Sequence, residues 1–524
     1  MRTASFFSTP TGIEGRTAVR CGDKTRTFAD LAERTNQLAN ALIGLGLKEN
    51  DRLALLCRNS IEFVETVIAA EKAGLRATII NPTAGRRDME AALRCCSPRV
   101  IVANVPAALE LVEATPDCAV RIYVGQALGC EHYETVLTAA NSAAVTARSP
   151  GVSMPLTSGT TGLPKAVFRK QPNFPPYLRQ LLAIAAFDPT SDVAMAPCGL
   201  QGSGVYNLAV GLPLRAGVGV IVSDISVTFD LNPEKVLSAI ERERVTHLYL
   251  PNYIMRQLLS LSEERRSHYN LTSLKCVLHG GGPCPIGLKV ALIEWLGPIV
   301  TEFYAGAEGG GTLITSPEWM EHKGSVGKPA DGLVRILSDE FAEAQPAETG
   351  RVYFRSPKHQ RFEYFNNPVA TQSVYHEDYF TLGDIGYVDG DGYLYLTGRS
   401  VEVIDFSGYN VFPAEIDAVL LDHPSVDACA AVGVVDDEMG EVVGAVVVLR
   451  EGYDAGEATT EELSQWCRSR LSISKCPRRW VFCKAIPGFA QGKVNRKSLL
   501  LLFEPSSTAE RGHKSPRIGA IAAQ

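Results

Sequence analysis

The stretch LTSGTTGLPKAV, from Leu156 to Val167, combines hydroxyl side chains, glycines and a lysine. Glycines let backbone N–H groups approach a ligand closely, hydroxyls donate hydrogen bonds or reach a Mg²⁺ ion, and a lysine adds positive charge. A loop of this composition suits a polyphosphate. It differs from the common nucleotide loop, GxxxxGK[ST], because Leu163 and Pro164 separate Gly162 from Lys165. For the string alone, the alternative is an ordinary surface loop rich in serine, threonine and glycine.

The composition limits the class of protein. A chain of 524 residues is too long for one hydrophobic core and predicts about two to four domains. The formal net charge is −7 and there is no basic stripe, which disfavours a nucleic-acid partner. The 13 cysteines show neither CxxC pairs nor zinc-site spacing, which favours a reducing compartment. No segment resembles a signal peptide or a membrane span. We therefore expect a cytoplasmic enzyme.

Segments of strand and helix pattern alternate through about the first 130 residues, which predicts a parallel sheet with helices on both faces. The first helix is expected to begin near Thr27, with Asp30 as its N-cap. Leucines recur in it with roughly helical spacing and predict one buried face, at Leu31, Leu38, Leu42 and Leu45.

Two later motifs follow strand-like segments. KCVLHGGGPCP predicts a strand that ends in three glycines, Gly280 to Gly282, and TEFYAGAE predicts a strand that ends at Tyr304 with Glu308 just beyond it. Ligands of open α/β sheets bind at the carboxyl ends of the strands. Both loops are therefore expected to face one site together with the first motif, where a glutamate is a natural ligand of Mg²⁺.

The last third of the chain suggests a change of domain. Asp384 is expected after a strand and Arg399 after a β-meander. A carboxylate suits the vicinal hydroxyls of a ribose, and a guanidinium suits a phosphate or ribose oxygen. A compact run of mixed elements follows, so we predict a large domain over 1–399 and a small α+β domain over 400–504. The polar tail, 505–524, is expected to be disordered.

Together these motifs resemble the adenylate-forming superfamily, which contains acyl-CoA synthetases, adenylation domains of peptide synthetases and luciferases. LTSGTTGLPKAV resembles its phosphate-binding signature, YAGAE its YGxTE motif and GFAQGKVNR its PxTxxGKxxR motif. Ala166, Ala305 and Ala307 depart from the usual Gly, Gly and Thr. The resemblance covers nearly the whole chain. It implies an α/β fold with a large N-terminal domain of layered α/β sheets and a small, mobile α+β C-terminal domain.

The resemblance also implies site residues. Those expected to bind ATP or AMP are Thr157, Ser158, Gly159, Thr160, Thr161, Gly162, Lys165, Gly280, Gly281, Gly282, Tyr304, Asp384 and Arg399. The catalytic set is Lys493, Glu308 and Thr160, of which Glu308 and Thr160 would hold Mg²⁺ and Lys493 would bridge the carboxylate and the α-phosphate. The acyl pocket is expected to include Cys198, Tyr206, Ala305 and Gly306. Plain core packing is the alternative for Cys198 and Tyr206.

The implied reaction is activation of a small-molecule carboxylic acid by ATP to an acyl-adenylate, followed by thioester formation with coenzyme A. The small domain is expected to rotate about a hinge at Val401, where most members carry Asp or Lys, so that the region around Gly408 admits coenzyme A. Because Val is β-branched, its backbone is restricted. The GGGPCP and EFYAGAEGG strings resemble ligases of medium- or long-chain, aryl or polycyclic acids more than acetate enzymes.

Three alternatives differ in chemistry. The adenylate could pass to an amine, to a carrier-protein thiol or to another small nucleophile. A serine hydrolase is disfavoured because the sequence contains no GxSxG string. A non-catalytic nucleotide-binding protein is disfavoured because Glu308, Asp384, Arg399 and Lys493 are all present.

Overall fold

The early alternation of elements forms a five-stranded parallel sheet in the computed structural model. In order across the sheet its strands are Arg76–Ile79, Arg52–Leu56, Val100–Ala103, Val120–Tyr123 and Glu131–His132. The structure describes residues 11–84, 86–111, 115–127, 129–158, 164–170, 176–201, 203–223, 232–282, 284–399, 402, 404–406, 409–436, 440–471, 475–487, 489–490 and 493–503.

Side chains of the strand Arg52–Leu56 alternate between two hydrophobic clusters. Leu53 and Leu55 pack in the cluster that contains the helix Phe28–Gly44, whereas Ala54 and Leu56 pack with the helix Arg86–Cys96. Successive residues of a strand point to opposite faces of a sheet. The predicted parallel sheet with helices on both faces is therefore confirmed.

The first helix corrects two details of the sequence prediction. Its N-cap is Thr27, and Asp30 lies three residues into the capping box, where its carboxylate accepts the Thr27 N–H at 2.9 Å. The Thr27 hydroxyl in turn accepts the Asp30 N–H at 3.1 Å. Leu31, Leu38 and Leu42 are buried as predicted. Leu45 is 40 % exposed, because the helix ends at Gly44 and Leu45 is its C-cap.

An eight-stranded sheet carries the two strand-end motifs. Its strands, in order, are Gly309–Thr315, Val300–Gly306, Cys276–Gly280, His247–Tyr249, Val193–Ala196, Gly219–Val222, Thr17–Cys21 and Lys24–Thr27. The six inner strands are parallel, and each edge strand is antiparallel to its neighbour. Because Cys276–Gly280 and Val300–Gly306 are parallel neighbours, their carboxyl ends lie together.

Two antiparallel sheets complete this part of the chain. The larger contains Ser325–Gly327, Leu394–Arg399, Tyr379–Val388, Gly350–Arg355 and Val334–Leu337 in order, with Tyr375–His376 paired to Tyr379–Val388. The smaller contains Glu363–Tyr364, Pro164–Phe168 and Leu156–Ser158. The smaller sheet therefore holds both flanks of the glycine-rich motif and joins them to a segment about 200 residues later in the sequence.

Helices connect these sheets. The α-helices span Phe28–Gly44, Ile61–Lys72, Arg86–Cys96, Tyr133–Thr138, Pro176–Ala185, Ser203–Val205, Leu212–Arg215, Pro233–Glu243, Asn252–Ser260, Glu263–Ser267, Ile286–Leu296, Ser316–Glu321 and Pro368–Ser373. Tyr206–Gly211 is a π-helical segment, and Pro106–Glu110 and Lys358–Gln360 are 3₁₀ turns. Within the described residues, no helix combines the length and the apolar character needed to cross a membrane.

The described residues divide into two compact units. The large unit holds the residues up to 399 together with 489, 490 and 493, and the small unit holds those from 402 to 487 and from 494 to 503. The chain thus passes between units close to Glu402, just after the predicted boundary at Arg399. The tail predicted to be disordered, 505–524, lies outside the described residues.

The small unit contains one mixed sheet and two long helices. The strands are Tyr409–Val411, Ile404–Phe406, Gly440–Leu449 and Val426–Asp436 in order, with Arg479–Phe482 parallel to Gly440–Leu449. The helices Pro413–Leu421 and Glu457–Arg468 pack on it, and Arg496–Leu499 with the turn Leu500–Leu502 follows at the end. Phe489–Ala490 pairs with Lys493–Val494 in a separate two-stranded sheet, of which only Val494 belongs to the small unit. The predicted α+β character is confirmed.

Candidate functional site

Two paired strands flank the glycine-rich motif. Leu156–Ser158 and Pro164–Phe168 pair antiparallel, with Thr157 opposite Lys165 and Ser158 opposite Pro164. We call this segment, 156–168, the phosphate hairpin. Its loop, with Gly159, Thr160, Thr161 and Gly162, lies outside the described residues. The flanking strands place Thr157 and Lys165 side by side at its base.

The three-glycine turn begins where a strand ends against its neighbour. A Cβ at Gly280 would lie 2.3 Å from the backbone oxygen of Phe303, so the two strands approach too closely for any side chain. Gly281 has φ +92°, which lies in the left-handed region that favours glycine. The nearest atom to a Cβ built there is the Tyr249 hydroxyl, 4.0 Å away. The Gly282 carbonyl accepts a hydrogen bond from Asn252 at 3.4 Å. The turn thus exposes backbone beside Gly281.

Tyr304 and Asp384 meet although they are far apart in sequence. The Tyr304 hydroxyl donates a hydrogen bond to the Asp384 carboxylate. Asp384 is only 5 % exposed. The prediction that Asp384 follows a strand is wrong: it lies inside Tyr379–Val388, opposite Arg399 in the neighbouring strand. Gly383, at φ +83°, and a register shift after Ile385 make this strand irregular there, which turns the carboxylate toward Tyr304.

Glu308 occupies the tight turn between Val300–Gly306 and Gly309–Thr315 and is 7 % exposed. The Tyr364 hydroxyl donates to its Oε1 at 2.8 Å. Tyr364 belongs to the strand that pairs with the phosphate hairpin, opposite Val167. The Lys165 ammonium lies 4.7 Å from the centre of the Tyr364 ring. Lys165, Tyr364 and Glu308 therefore form one connected cluster.

The sequence analysis missed two residues: Tyr364, which belongs to the cluster, and Arg169, which lies beside it. Arg169 follows the second hairpin strand, is buried, and donates from both terminal nitrogens to the Ala307 carbonyl at 3.2 Å. Burial lowers the pKa of the Arg169 guanidinium, and the nearby charge of Glu308 opposes that shift. A charged residue directly after an apolar strand was the available signal for Arg169. Tyr364 had no such local signal, because it joins the cluster through a strand pairing with a segment about 200 residues away in the sequence.

The predicted acyl-pocket residues are packed closely. Cys198 and Tyr206 are buried, and burial raises the pKa of both, that of Cys198 to about 12. The Tyr206 ring packs against Phe63 with 5.8 Å between centroids. A Cβ at Gly306 would lie 2.5 Å from Leu382, and Ala305 is half-buried. Within the described chain these surroundings match core packing at Cys198 and Tyr206, and a role in an acyl pocket stays a prediction.

An apolar cavity of about 30 Å³ lies beside the eight-stranded sheet. The helix Pro176–Ala185, the π-helical segment and three strands of the sheet contribute its walls, among them Leu181, Phe187, Leu208, His247, Tyr249 and Leu278. Tyr249 is also the residue nearest the bare face of Gly281. The cavity therefore adjoins the three-glycine turn.

Other predicted site residues are placed only in part. Arg399 ends the strand Leu394–Arg399 and Lys493 begins the strand Lys493–Val494. Val401 and Gly408 lie outside the described residues. Within the small unit, Arg496 binds Asp417 at 2.5 Å and Glu402 at 3.1 Å. The described cluster at the strand ends is thus Lys165, Tyr364 and Glu308, with the Tyr304–Asp384 pair.

Two protein-family models match this chain. The model of the AMP-binding enzyme family matches residues 7–361, and the model of the AMP-binding enzyme C-terminal domain matches residues 415–493. The chain belongs to the AMP-binding enzyme family. The predicted superfamily and fold, a large N-terminal and a small C-terminal domain, are confirmed.

Individual relatives include CoA ligases and an amide bond synthetase. A feruloyl-CoA synthase from an Amycolatopsis species is 30% identical over 91% of this chain and 94% of its own. A 2-succinylbenzoate–CoA ligase from Geobacillus kaustophilus is 30% identical over 93% of this chain and 95% of its own. The solved structure of the amide bond synthetase McbA from Marinactinospora thermotolerans has a TM-score of 0.79 at 26% identity, over 94% and 98% of the two chains. The prediction of an AMP-forming acid–thiol ligase is confirmed by its family and its CoA-ligase relatives.

Proposed function

We propose that this protein uses ATP and Mg²⁺ to convert a carboxylic acid with an apolar body into its acyl-adenylate, and then transfers the acyl group to coenzyme A. The observation that carries the proposal is the cluster of Lys165, Tyr364 and Glu308. One tyrosine contacts both a cation and a buried carboxylate, and the carboxylate follows the carboxyl end of Val300–Gly306, where ligands of such sheets bind.

In the first half-reaction a carboxylate oxygen of the acid attacks the α-phosphorus, and the bond from that phosphorus to pyrophosphate breaks. Both partners are anions, so the protein's task is to position them and to offset their charge. Lys165 would bind the β- and γ-phosphates together with the hairpin hydroxyls Thr157 and Ser158 and the loop beyond them. Lys493 would bind the charge that develops at the α-phosphate.

The acidic residue of the cluster fits a magnesium ion. Glu308 offers hard carboxylate oxygens, and its described hydrogen-bond partner is the Tyr364 hydroxyl. The described residues give it no ion pair, although the buried Arg169 guanidinium is close enough to interact with its charge. With Thr160, Glu308 would hold Mg²⁺. When bound, the ion neutralises phosphate charge and orients the pyrophosphate group.

The nucleoside would lie along the neighbouring strand ends. Gly280 to Gly282 would leave room for the adenine, and the Tyr304 ring would stack on it. Its hydroxyl bond to Asp384 fixes the ring. Asp384 would accept the ribose hydroxyls, and Arg399 would bind a ribose or phosphate oxygen.

In the second half-reaction the coenzyme A sulfur attacks the acyl carbon and AMP leaves. We propose that the small domain rotates about Val401 so that Lys493 withdraws and the region around Gly408 admits the thiol. No disulfide joins any of the 13 cysteines, all of which lie in the described part of the chain; this is compatible with a reducing compartment, and we place the reaction in the cytoplasm.

The acid we propose has an apolar body, medium- or long-chain, aryl or polycyclic. The cavity near Tyr249 and Leu278 has an apolar lining, but at about 30 Å³ it has room for about one water molecule, so it marks an apolar region near the three-glycine turn and not the space that the acid would fill. The walls that we propose for the acyl pocket are Cys198, Tyr206, Ala305 and Gly306.

A second candidate acceptor is an amine. The structural similarity to the amide bond synthetase McbA favours it. A carrier-protein thiol is the remaining acceptor. Each acceptor would use the same adenylation residues, so the distinction lies in the second half-reaction.

The test is acid-dependent release of pyrophosphate from ATP over a panel of fatty, aryl and polycyclic acids, with and without coenzyme A. We expect release with an apolar acid, and faster turnover with formation of AMP and thioester when coenzyme A is present. If coenzyme A does not accelerate pyrophosphate release and amides form when amines are added, the acceptor is an amine and not coenzyme A. No release with any acid would contradict the proposal.

The role of Lys493 has its own test. Lys493→Ala should reduce adenylation about 10²–10³-fold, because it removes a charge contact made in the transition state. Thioester formation from supplied acyl-AMP should be spared, since that step does not need the α-phosphate contact. An equal loss in both half-reactions would show that Lys493 has no specific role in adenylation.

A further inference from the structure

Tyr364 is fixed in place from several directions. Its strand pairs with the phosphate hairpin, and its backbone N–H donates to the Thr371 hydroxyl at 2.9 Å. Its ring meets Phe362 edge-on with 5.3 Å between centroids, and the residue is 5 % exposed. Backbone pairing and packing therefore determine where its hydroxyl lies.

That hydroxyl reaches Glu308, which itself stands in a two-residue turn. Glu308 accepts the hydrogen bond on Oε1, and its other oxygen, Oε2, has no hydrogen bond to any residue in the described part of the chain. A phenol that donates to one carboxylate oxygen fixes the orientation of the whole group. The bond therefore leaves Oε2 available to a cation.

The same tyrosine contacts the lysine of the phosphate hairpin. The Lys165 ammonium lies 4.7 Å from the ring centre, which is within the range of a cation–π contact. No ion pair between Lys165 and Glu308 occurs in the described structure. One side chain thus contacts a cation through its ring and an anion through its hydroxyl.

We propose that Tyr364 is a positioning residue for both charged groups: its hydroxyl orients Glu308 toward Mg²⁺, and its ring places the Lys165 ammonium at the phosphates. This inference rests on the proposed function. Arg169 holds the carbonyl of Ala307, the residue before Glu308, so the glutamate turn is also held from the backbone side.

The test separates the hydroxyl from the ring. Tyr364→Phe removes the hydroxyl and keeps the ring, so the Mg²⁺ concentration for half-maximal pyrophosphate release should rise about tenfold, the usual effect of losing one hydrogen bond to a charged group. At saturating Mg²⁺ the KM for ATP should stay within about twofold of the unmodified protein. Tyr364→Leu removes the ring as well, and should raise the KM for ATP in addition.

Tyr375→Phe is the matched control. The Tyr375 hydroxyl is bonded to the backbone of Phe362, within the same aromatic cluster, and does not contact Glu308. We expect an unchanged Mg²⁺ requirement for this variant. A Tyr364→Phe protein that titrates with Mg²⁺ like the unmodified protein, or a Tyr375→Phe protein that shifts equally, would overturn the inference.

A second readout does not depend on turnover. ATP without acid should raise the melting temperature, and Mg²⁺ should raise it further, because a ligand that binds the folded state stabilises it. In Tyr364→Phe the increment from Mg²⁺ should shrink while that from ATP alone is kept. If no acid supports pyrophosphate release, the proposed function fails, and an equal Mg²⁺ increment in both proteins would still overturn the role of Tyr364.

Discussion

Two glutamates, Glu302 inside the strand Val300–Gly306 and Glu308 in the turn after it, are each only 7 % exposed but have different kinds of partner. Glu302 accepts directly from the Lys289 ammonium at 2.5 Å, and that ammonium lies 4.5 Å from the Trp319 ring centre. Glu308 accepts from the neutral Tyr364, and Lys165 contacts the tyrosine ring instead of the carboxylate. Glu302 thus pairs directly with an ammonium, whereas Glu308 accepts from a phenol and interacts with the charge of Arg169 without an ion pair among the described residues. Equal burial therefore does not imply an equal role.

The electrostatic surroundings of the Lys289–Glu302 pair support a structural role. Burial raises the pKa of the Glu302 carboxyl and lowers that of the Lys289 ammonium, and each opposes the shift of the other. His279, fully buried opposite Glu302, has its pKa lowered well below 6.5 by burial and by Lys289. This region is stabilised only while all three groups keep their native protonation.

The largest expected effect comes from breaking the structural pair. Lys289→Met should lower the free energy of unfolding by about 3–5 kcal/mol, because it leaves the Glu302 charge buried without a partner. We expect the ATP-dependent activity per folded molecule to stay near that of the unmodified protein. Thermal and denaturant unfolding, with activity at low temperature, provide the measurements.

Lys24→Met is the control for Lys289→Met. Lys24 forms a 3.7 Å ion pair with Glu62, and its side chain is 70% exposed. Such exposed pairs contribute about 0–1 kcal/mol. Similar small losses of stability in the two variants would contradict the structural assignment of Lys289.

The second-largest expected effect comes from removing the charge of Glu308. Glu308→Gln keeps the size and a hydrogen-bond acceptor but removes the charge, so adenylation should fall about 10²–10³-fold and the Mg²⁺ requirement should rise. Glu302→Gln should instead reduce stability and leave the Mg²⁺ requirement unchanged. Pyrophosphate release titrated with Mg²⁺ measures both. An unchanged Mg²⁺ dependence in Glu308→Gln would show that Glu308 is not a metal ligand and that it does not differ from Glu302 in this respect.

The smallest expected effect is the dependence of stability on pH that His279 causes. Because the pKa of His279 is lower in the folded chain than the ordinary 6.5, the unfolded chain takes up its proton first as pH falls. The stability from neutral His279 is present above pH 6.5 and is lost below it, by at most about 1.4 kcal/mol per pH unit. His279→Met should weaken this acid sensitivity in melting temperatures measured between pH 7.5 and pH 5.5.

The exposed His359 offers the control for this pH effect. His359→Gln should keep the acid sensitivity of the unmodified protein, since no burial acts on that ring. His247 is also buried, and burial lowers its pKa as well. It should therefore contribute part of the dependence of melting temperature on pH. An unchanged slope in His279→Met would show that His279 is not the group responsible.

Much of the fold followed from local patterns. Apolar periodicity and turn residues predicted the parallel sheet of the first part, the strands that end at Gly280 and near Tyr304, and the mixed elements of the small unit. The errors lay at element ends. Asp30 was taken as the N-cap in place of Thr27 because both residues can cap a helix, and only the reciprocal hydrogen bonds distinguish them. Leu45 matched the helical spacing but came after the helix had ended.

The candidate site was only partly visible in the sequence. Lys165, Glu308, Tyr304 and Asp384 each stood in a recognisable motif. Tyr364 stands in no such motif. It reaches the site through a strand pairing between segments about 200 residues apart, and such a pairing leaves no local signal in the sequence. Asp384 was predicted after a strand, and the irregularity that places it inside one depends on its neighbour in the sheet.

By itself, then, the sequence determined which chemical groups this protein carries and where its strands end, because backbone preferences and side-chain chemistry act over a few residues. Only the tertiary structure decided which of its buried acids pairs with an ammonium and which accepts from a phenol. Glu302 and Glu308 have the same charge and the same burial, and the difference arises from the residues that folding brings to them: Lys289 from a helix in one case, and Tyr364 from a distant strand in the other.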